Sequence, residues 1–196
     1  DPRIAVVGCL VEAFPEGDMS RRFEPKVNGE SYCFAVLNRN KRSIGLDLKS
    51  PEGMEIFRRL AAEADFIVEN FRPGTLEKWG LGPAELSVGN PDLIFVRISA
   101  FGQTGPYSER PGFAAVAEAY GGFRELVGDP DRPPVRAGVS IGDSIAGLYG
   151  AFGAVMSLYA ALRRRAESSE PLPLDDRIVD VALHESIFSM MESLVP

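Results

Sequence analysis

The chain has 196 residues, with 28 Asp or Glu against 21 Lys or Arg and a formal net charge of -7, which lacks the basic face that phosphate-backbone binding requires and excludes a nucleic-acid protein. Its 45% hydrophobic and 25% charged content, with 12 Phe, is globular and neither disordered nor fibrous. A chain this long removes roughly 70% of its extended surface from water on folding, enough for one large domain or for one domain and a fragment of a second, and residues 1–196 are expected to form a single domain.

The amino-terminal apolar run Ile4 to Val11 has no strongly basic flank and no small-residue cleavage site, and Glu12 follows at once, so it predicts a buried strand. Cys9 and Cys33 form neither a ligand spacing nor a disulfide framework, which points to a reducing, cytoplasmic setting. With one histidine, His184, no metal site is expected. Arg39, Lys41 and Arg42, with Lys49 beyond and Arg21 and Arg22 before, form a local basic cluster on an acidic chain. Such a cluster near a βα turn suits the phosphates of a nucleotide-like cofactor, and a solvated loop explains it equally well.

From Ser50, a cap followed by Pro51, the pattern turns helical, with Met54, Phe57, Leu60, Ala61 and Ala64 at helical spacing and Ile56 on the same broad face. Phe66 to Val68 predicts a strand and Asn70 to Gly74 the loop leaving it. The order repeats as helix Pro83 to Val88, turn Asn90-Pro91-Asp92 and strand Leu93 to Ser99. Helices alternating with short apolar strands predict a parallel, Rossmann-like α/β sheet flanked by helices.

After a Pro- and Asp-rich loop at Gly128 to Pro134, a long helix is expected from about Ser140 to Arg165, crossing the body. Its apolar positions Ile141, Ile145, Leu148, Tyr149, Phe152, Val155, Met156, Tyr159 and Leu162 predict one buried stripe. Ser144 to Leu162 carries no charge and precedes Arg163 to Arg165, so it also has the length of a membrane span. Its Gly and Ala content and Asp143 at its mouth favour a helix outside any membrane. A strand at Arg177 to Ala182 and a helix at Leu183 to Leu194 close the chain.

Two patterns here carry chemistry. Gly138-Val139-Ser140-Ile141-Gly142 spells a nucleophile elbow, with Asp175, Asp176 or Asp180 and then His184 in hydrolase order. The elbow needs a strand running into the serine, which Pro133 and Pro134 leave little room for, so Ser140 reads as a helix cap ahead of a nucleophile. Asp143 lies in the opening turn of the long helix, where the positive helix end should keep it ionised while Gly142 and Gly147 leave space for a ligand. An ionised carboxylate of this kind suits nucleophilic attack on an activated acyl group, and capping is the alternative. Gly147, Gly150 and Gly153 fit close packing as well as ligand approach. No G-x-G-x-x-G and no P-loop is present.

In order along the chain stand Asn38-Arg39-Asn40-Lys41-Arg42-Ser43, Leu46-Asp47-Leu48-Lys49, Glu69-Asn70-Phe71-Arg72-Pro73-Gly74, Phe101-Gly102-Gln103-Thr104-Gly105-Pro106-Tyr107, Arg110-Pro111-Gly112-Phe113 and Gly142-Asp143 with Ala146-Gly147. On these residues the sequence resembles the family III CoA-transferases of CaiB/BaiF type, the formyl-CoA and carnitine CoA-transferase group. The resemblance implies transfer of CoA from an acyl-CoA to a carboxylic acid without a metal, with Asp143 as the acyl-carrying nucleophile. It implies cofactor contacts from Arg39, Lys41, Arg42, Leu46, Lys49, Asn70, Phe71, Arg72, Lys78, Gly112 and Phe113, and it implies a homodimer. Family members are about twice this length, so the chain is expected to match part of their large domain, without the small domain. A fragment that binds CoA without turnover is therefore a further expectation. Related acyl-CoA racemases carry His then Asp after the glycine matching Gly112, where Phe113 and Ala114 stand here, which disfavours racemisation. Ala114 also departs from transferases with an acidic residue at that position.

Overall fold

The structure, a computed structural model, describes residues 8–194. Residues 4–7 of the predicted first strand lie outside the described residues. The chain divides into two compact units, residues 1–59 and 60–196.

In the first unit β1 (Gly8–Ala13) runs parallel to β4 (Lys41–Leu46), with Gly8 opposite Lys41 and Ala13 opposite Leu46. Between them lie the two-residue strands β2 (Lys26–Val27) and β3 (Glu30–Ser31), an antiparallel ribbon, and α1 (Tyr32–Leu37). Ser31 caps α1 by accepting the Phe34 N–H at 3.3 Å. The unit is tied together by Glu12, buried near the end of β1. Glu12 accepts Arg21 Nε and Nη2 at 2.6 Å each, the Asp18 N–H at 2.7 Å and the Ser43 hydroxyl from β4. Chiefly through the Arg21 hydrogen bonds, and against its burial, the Glu12 carboxyl is pulled down to about 2. α2 (Pro51–Ala62) begins as predicted, because Ser50 Oγ accepts the Gly53 N–H at 3.0 Å and donates to the Asp47 carbonyl at 2.9 Å.

The second unit holds β5 (Phe66–Glu69), β6 (Ile94–Ser99) and β7 (Ile178–Ala182), three parallel strands in that order. β6 is central and covered on both faces, so Ile94, Phe95 and Val96 are all buried, the continuous apolar run that parallel sheets require. Around the sheet lie α3 (Thr75–Lys78), α4 (Pro83–Gly89), α5 (Ala114–Tyr120), α6 (Ile141–Ser168) and α7 (Leu183–Phe188). α7 is shorter than the predicted Leu183 to Leu194, and neither α5 nor α1 was anticipated.

The main correction concerns α6. Its buried face is Gly142, Ala146, Gly150, Ala154, Ser157 and Ala161, whereas Leu148, Phe152, Val155, Met156, Tyr159 and Leu162, expected inside, are each more than half exposed. The physical reason is distance. A Cβ on Gly150 would stand 2.9 Å from Val96 Cγ1, and one on Gly153 2.5 Å from Val179 Cγ1. The helix therefore lies on the sheet along its small residues, and the bulkier apolar stripe has no room there. By length and composition α6 could cross a membrane, but its small-residue face is packed against β6 and β7.

Candidate active site

The contacts of α6 set its direction. Gly150 faces Val96 and Ile98 of β6, Gly153 faces Val179 at the start of β7, and Ser157 Oγ donates to the Asp176 carbonyl just ahead of β7 at 2.9 Å. The helix thus runs antiparallel to the strands, and its N-terminal turn points to their carboxyl edge, where parallel α/β sheets present ligand sites. Asp143 stands on that turn and is exposed. Gly142 is buried against Ala114 of α5, while a Cβ on Gly147, one turn past Asp143 on the same side, would meet nothing within 4 Å. Of the glycines noted in the sequence, Gly150 and Gly153 serve packing and Gly147 leaves open space.

Several groups act on the Asp143 carboxyl. Partial burial is the largest influence and pushes its carboxyl above the ordinary value. The Arg136 charge opposes this, the Glu118 charge adds to it, and a hydrogen bond with Ser140 lowers it. Sequence reasoning missed Glu118, which is fully buried on α5 with neither carboxylate oxygen hydrogen-bonded and Arg124 Nε 3.6 Å away. The only signal was one acidic residue on the apolar Ala114–Ala117 face.

Ser140 occupies the N-cap position of α6 without a side-chain cap bond, and its Oγ accepts from Arg136 Nη2 at 3.4 Å. No strand enters it, since residues 133–140 are irregular. The elbow also lacks its partners. Asp180 accepts the Gln103 N–H at 2.9 Å, and the His184 ring Nδ1 and backbone N–H meet the Ala100 carbonyl at 3.1 and 3.3 Å. Asp175 and Asp176 lie ahead of β7, at the opposite strand end from His184. Asp180 and His184 hold the loop after β6 instead. Around Phe101 in that loop stand the rings of Tyr120, His184 and Tyr107, with centroids 5.0, 5.2 and 5.8 Å away.

The residues expected to contact a cofactor divide between the units. In the first, Arg39, Lys41 and Arg42 stand before or at the start of β4, whereas Leu46 ends it and Lys49 follows. At about 3.3 Å per residue the five steps from Lys41 to Leu46 span roughly 16–17 Å along β4. Lys41 Nζ donates to Asn38 Oδ1 at 2.9 Å. In the second unit Asn70, Phe71 and Arg72 follow β5 directly and Lys78 ends α3, all four exposed. Gly112 packs so near the loop after β6 that a Cβ would come 2.7 Å from Ala100 Cβ, and Phe113 is exposed at the N-cap of α5. Among the described residues no group of three or more His, Cys, Asp or Glu is arranged to hold a metal ion.

Comparison with known proteins matches CoA-transferase family III over residues 9–195. The chain is 45% identical over 187 residues to succinyl-CoA–D-citramalate CoA-transferase of Chloroflexus aurantiacus, covering 95% of this chain and 44% of that protein. It is 42% identical over 148 residues to human succinyl-CoA:glutarate CoA-transferase, covering 75% and 34%. A crystal structure of a CAIB/BAIF family protein from Brucella suis superimposes with a TM-score of 0.79 at 39% identity, covering 94% of this chain and 47% of that one. The chain thus spans less than half the length of these relatives.

Proposed function

The chain belongs to CoA-transferase family III, and on that premise we propose that the protein moves CoA between an acyl-CoA and a carboxylic acid through covalent intermediates on Asp143. The observation that carries this reading is Asp143 itself, an exposed carboxylate on the first turn of α6 at the carboxyl edge of a parallel sheet, with the open flank of Gly147 one turn on.

The chemistry balances without a metal or a net proton transfer. The Asp143 carboxylate attacks the donor thioester, forming a mixed anhydride and releasing the CoA thiolate. The thiolate attacks the aspartyl carbonyl, giving an aspartyl-CoA thioester and the free donor acid. The acceptor carboxylate repeats the two steps in reverse, leaving with CoA and restoring Asp143. The names of several relatives pair succinyl-CoA with citramalate, malate or glutarate, which makes a dicarboxylic pair the first substrates to try.

The test incubates the chain with succinyl-CoA and, in turn, malate, citramalate and glutarate, following acyl-CoA species by mass spectrometry. Loss of succinyl-CoA with gain of a new acyl-CoA is expected. CoA bound with no exchange for any pair would select a binding role instead, and ester cleavage abolished by Ser140→Ala would select the hydrolase.

Binding itself should depend on salt. The proposed contacts include Arg72 and Lys78 on a chain of net charge -7, so the phosphates of CoA meet local cations against overall repulsion. Screening shortens to about 10 Å at 0.1 M salt. Calorimetry should show CoA affinity falling as salt rises, and no heat at low salt with millimolar CoA would remove this reading.

We also propose that the chain self-associates. The exposed stripe of α6 presents Leu148, Phe152, Val155, Met156, Tyr159 and Leu162, and contiguous apolar surface of this kind marks interaction faces. Light scattering should give a dimer mass at micromolar concentration, and a clean monomer would count against it.

A further inference from the structure

We propose that Arg97 is a positioning residue that clamps both ends of the segment from Asn70 to Lys78 and so holds it in the shape that receives the phosphate-bearing part of CoA. This rests on the function proposed above and deepens it. Arg97 lies on central strand β6 directly opposite Glu69 on β5. Its Nε donates to Glu69 Oε1 at 2.6 Å, and both side chains are buried. Its other arm donates to Glu77 of α3, Nη1 to Oε1 at 2.7 Å and Nη2 to Oε2 at 3.3 Å. One guanidinium therefore grips the residue before Asn70 and the residue before Lys78.

The segment between the two grips is shaped by the same groups. Glu69 Oε2, its free oxygen, accepts the Phe71 N–H at 2.8 Å and curls the chain as it leaves β5. Gly74, at φ 78°, makes the turn into α3, and Leu76 and Leu81 are buried beneath it. The Phe71 ring meets Trp79 edge-on, with centroids 5.4 Å apart. Asn70, Arg72 and Lys78 are left exposed on the outside.

A buried guanidinium with two carboxylates is a costly way to fill space, since apolar side chains of similar volume stabilise a core at least as well. What the forked donor supplies is fixed geometry at two points of a loop. Groups that must meet a charged ligand gain most when they are held in place before it arrives. Burial is the largest influence on the Glu77 carboxyl and raises it, yet the hydrogen bonds and charge of Arg97 together with a backbone hydrogen bond leave it below the ordinary value.

Calorimetry with CoA on the wild-type chain, Glu77→Gln, Arg97→Lys and the control Arg163→Gln tests the clamp. Arg163 pairs with Glu167 on the exposed side of α6 and its loss should leave affinity unchanged. Glu77→Gln keeps the Arg97–Glu69 pair and the fold, and should raise the Kd for CoA about tenfold, the scale of one charged hydrogen bond. Its rate of Asp143 acylation at saturating acyl-CoA should stay at the wild-type value, a split that general destabilisation would not produce. Arg97→Lys keeps the charge without the fork and should weaken CoA at least as much. If the wild type binds CoA and Glu77→Gln binds it equally, the clamp is overturned while the proposed function stands. If the wild type binds no CoA, that function falls and the clamp with it. Should Arg97→Lys fail to fold, Glu77→Gln alone still decides.

Discussion

Replacing Asp143 by Asn should lower CoA transfer by a factor on the order of 10⁴ or more, because the amide cannot form the anhydride on which every later step depends. The protein should not lose stability. Partial desolvation and the Glu118 charge push the Asp143 carboxyl upward against the Arg136 charge and the Ser140 hydrogen bond, so the folded state holds the anion less readily than the unfolded chain does. A neutral Asn removes that penalty at neutral pH, and the melting temperature should hold or rise slightly. The same shift sets the pH response. The anion is the nucleophile, so transfer should fall as pH drops through a value above that of an ordinary aspartate. Treating acylated wild type with hydroxylamine should leave a hydroxamate at Asp143, located by mass spectrometry. An Asn variant with wild-type turnover, or acyl-CoA consumed while Asp143 stays unmodified, would overturn the assignment.

The largest expected loss of stability is at Gly53, in the first turn of α2. A Cβ there would lie 2.0 Å from the Asp47 carbonyl oxygen and 2.7 Å from its carbon. Backbone cannot yield as a long side chain can, and the turn from Asp47 to Ser50 is fastened by Ser50 N–H to Asp47 O at 3.0 Å and Lys49 N–H to Asp47 Oδ1 at 2.9 Å. Gly53→Ala should therefore destabilise the chain by about 3 kcal/mol, at the upper end of overpacking costs. Gly147→Ala, in open space on α6, should instead stabilise by about 0.5–1 kcal/mol through helix propensity. Urea unfolding of the two variants checks both signs, and equal stability of Gly53→Ala and wild type would refute the close approach at Asp47.

The alternation of helices with short apolar strands, Phe66 to Val68 and Leu93 to Ser99 above all, was enough to determine a parallel α/β class, because period and propensity are local properties. The motifs from Asn38 to Gly147 were enough to identify the family and to put Asp143 forward as the residue to test. Side-chain packing was not legible in that way. The pattern of large apolar residues on α6 pointed to the wrong buried face, since which face approaches the sheet depends on the room beside Val96, Ile98 and Val179, residues far away in sequence. Likewise Asp180 and His184 fitted a hydrolase order along the chain, yet in the fold both hold the loop after β6. Arg97, Glu69 and Glu77 are unremarkable charges as a string and become one network only when β5, β6 and α3 meet. Only the tertiary structure decided these points, because the free energy of a buried charge or a close contact depends on neighbours that the local sequence does not contain.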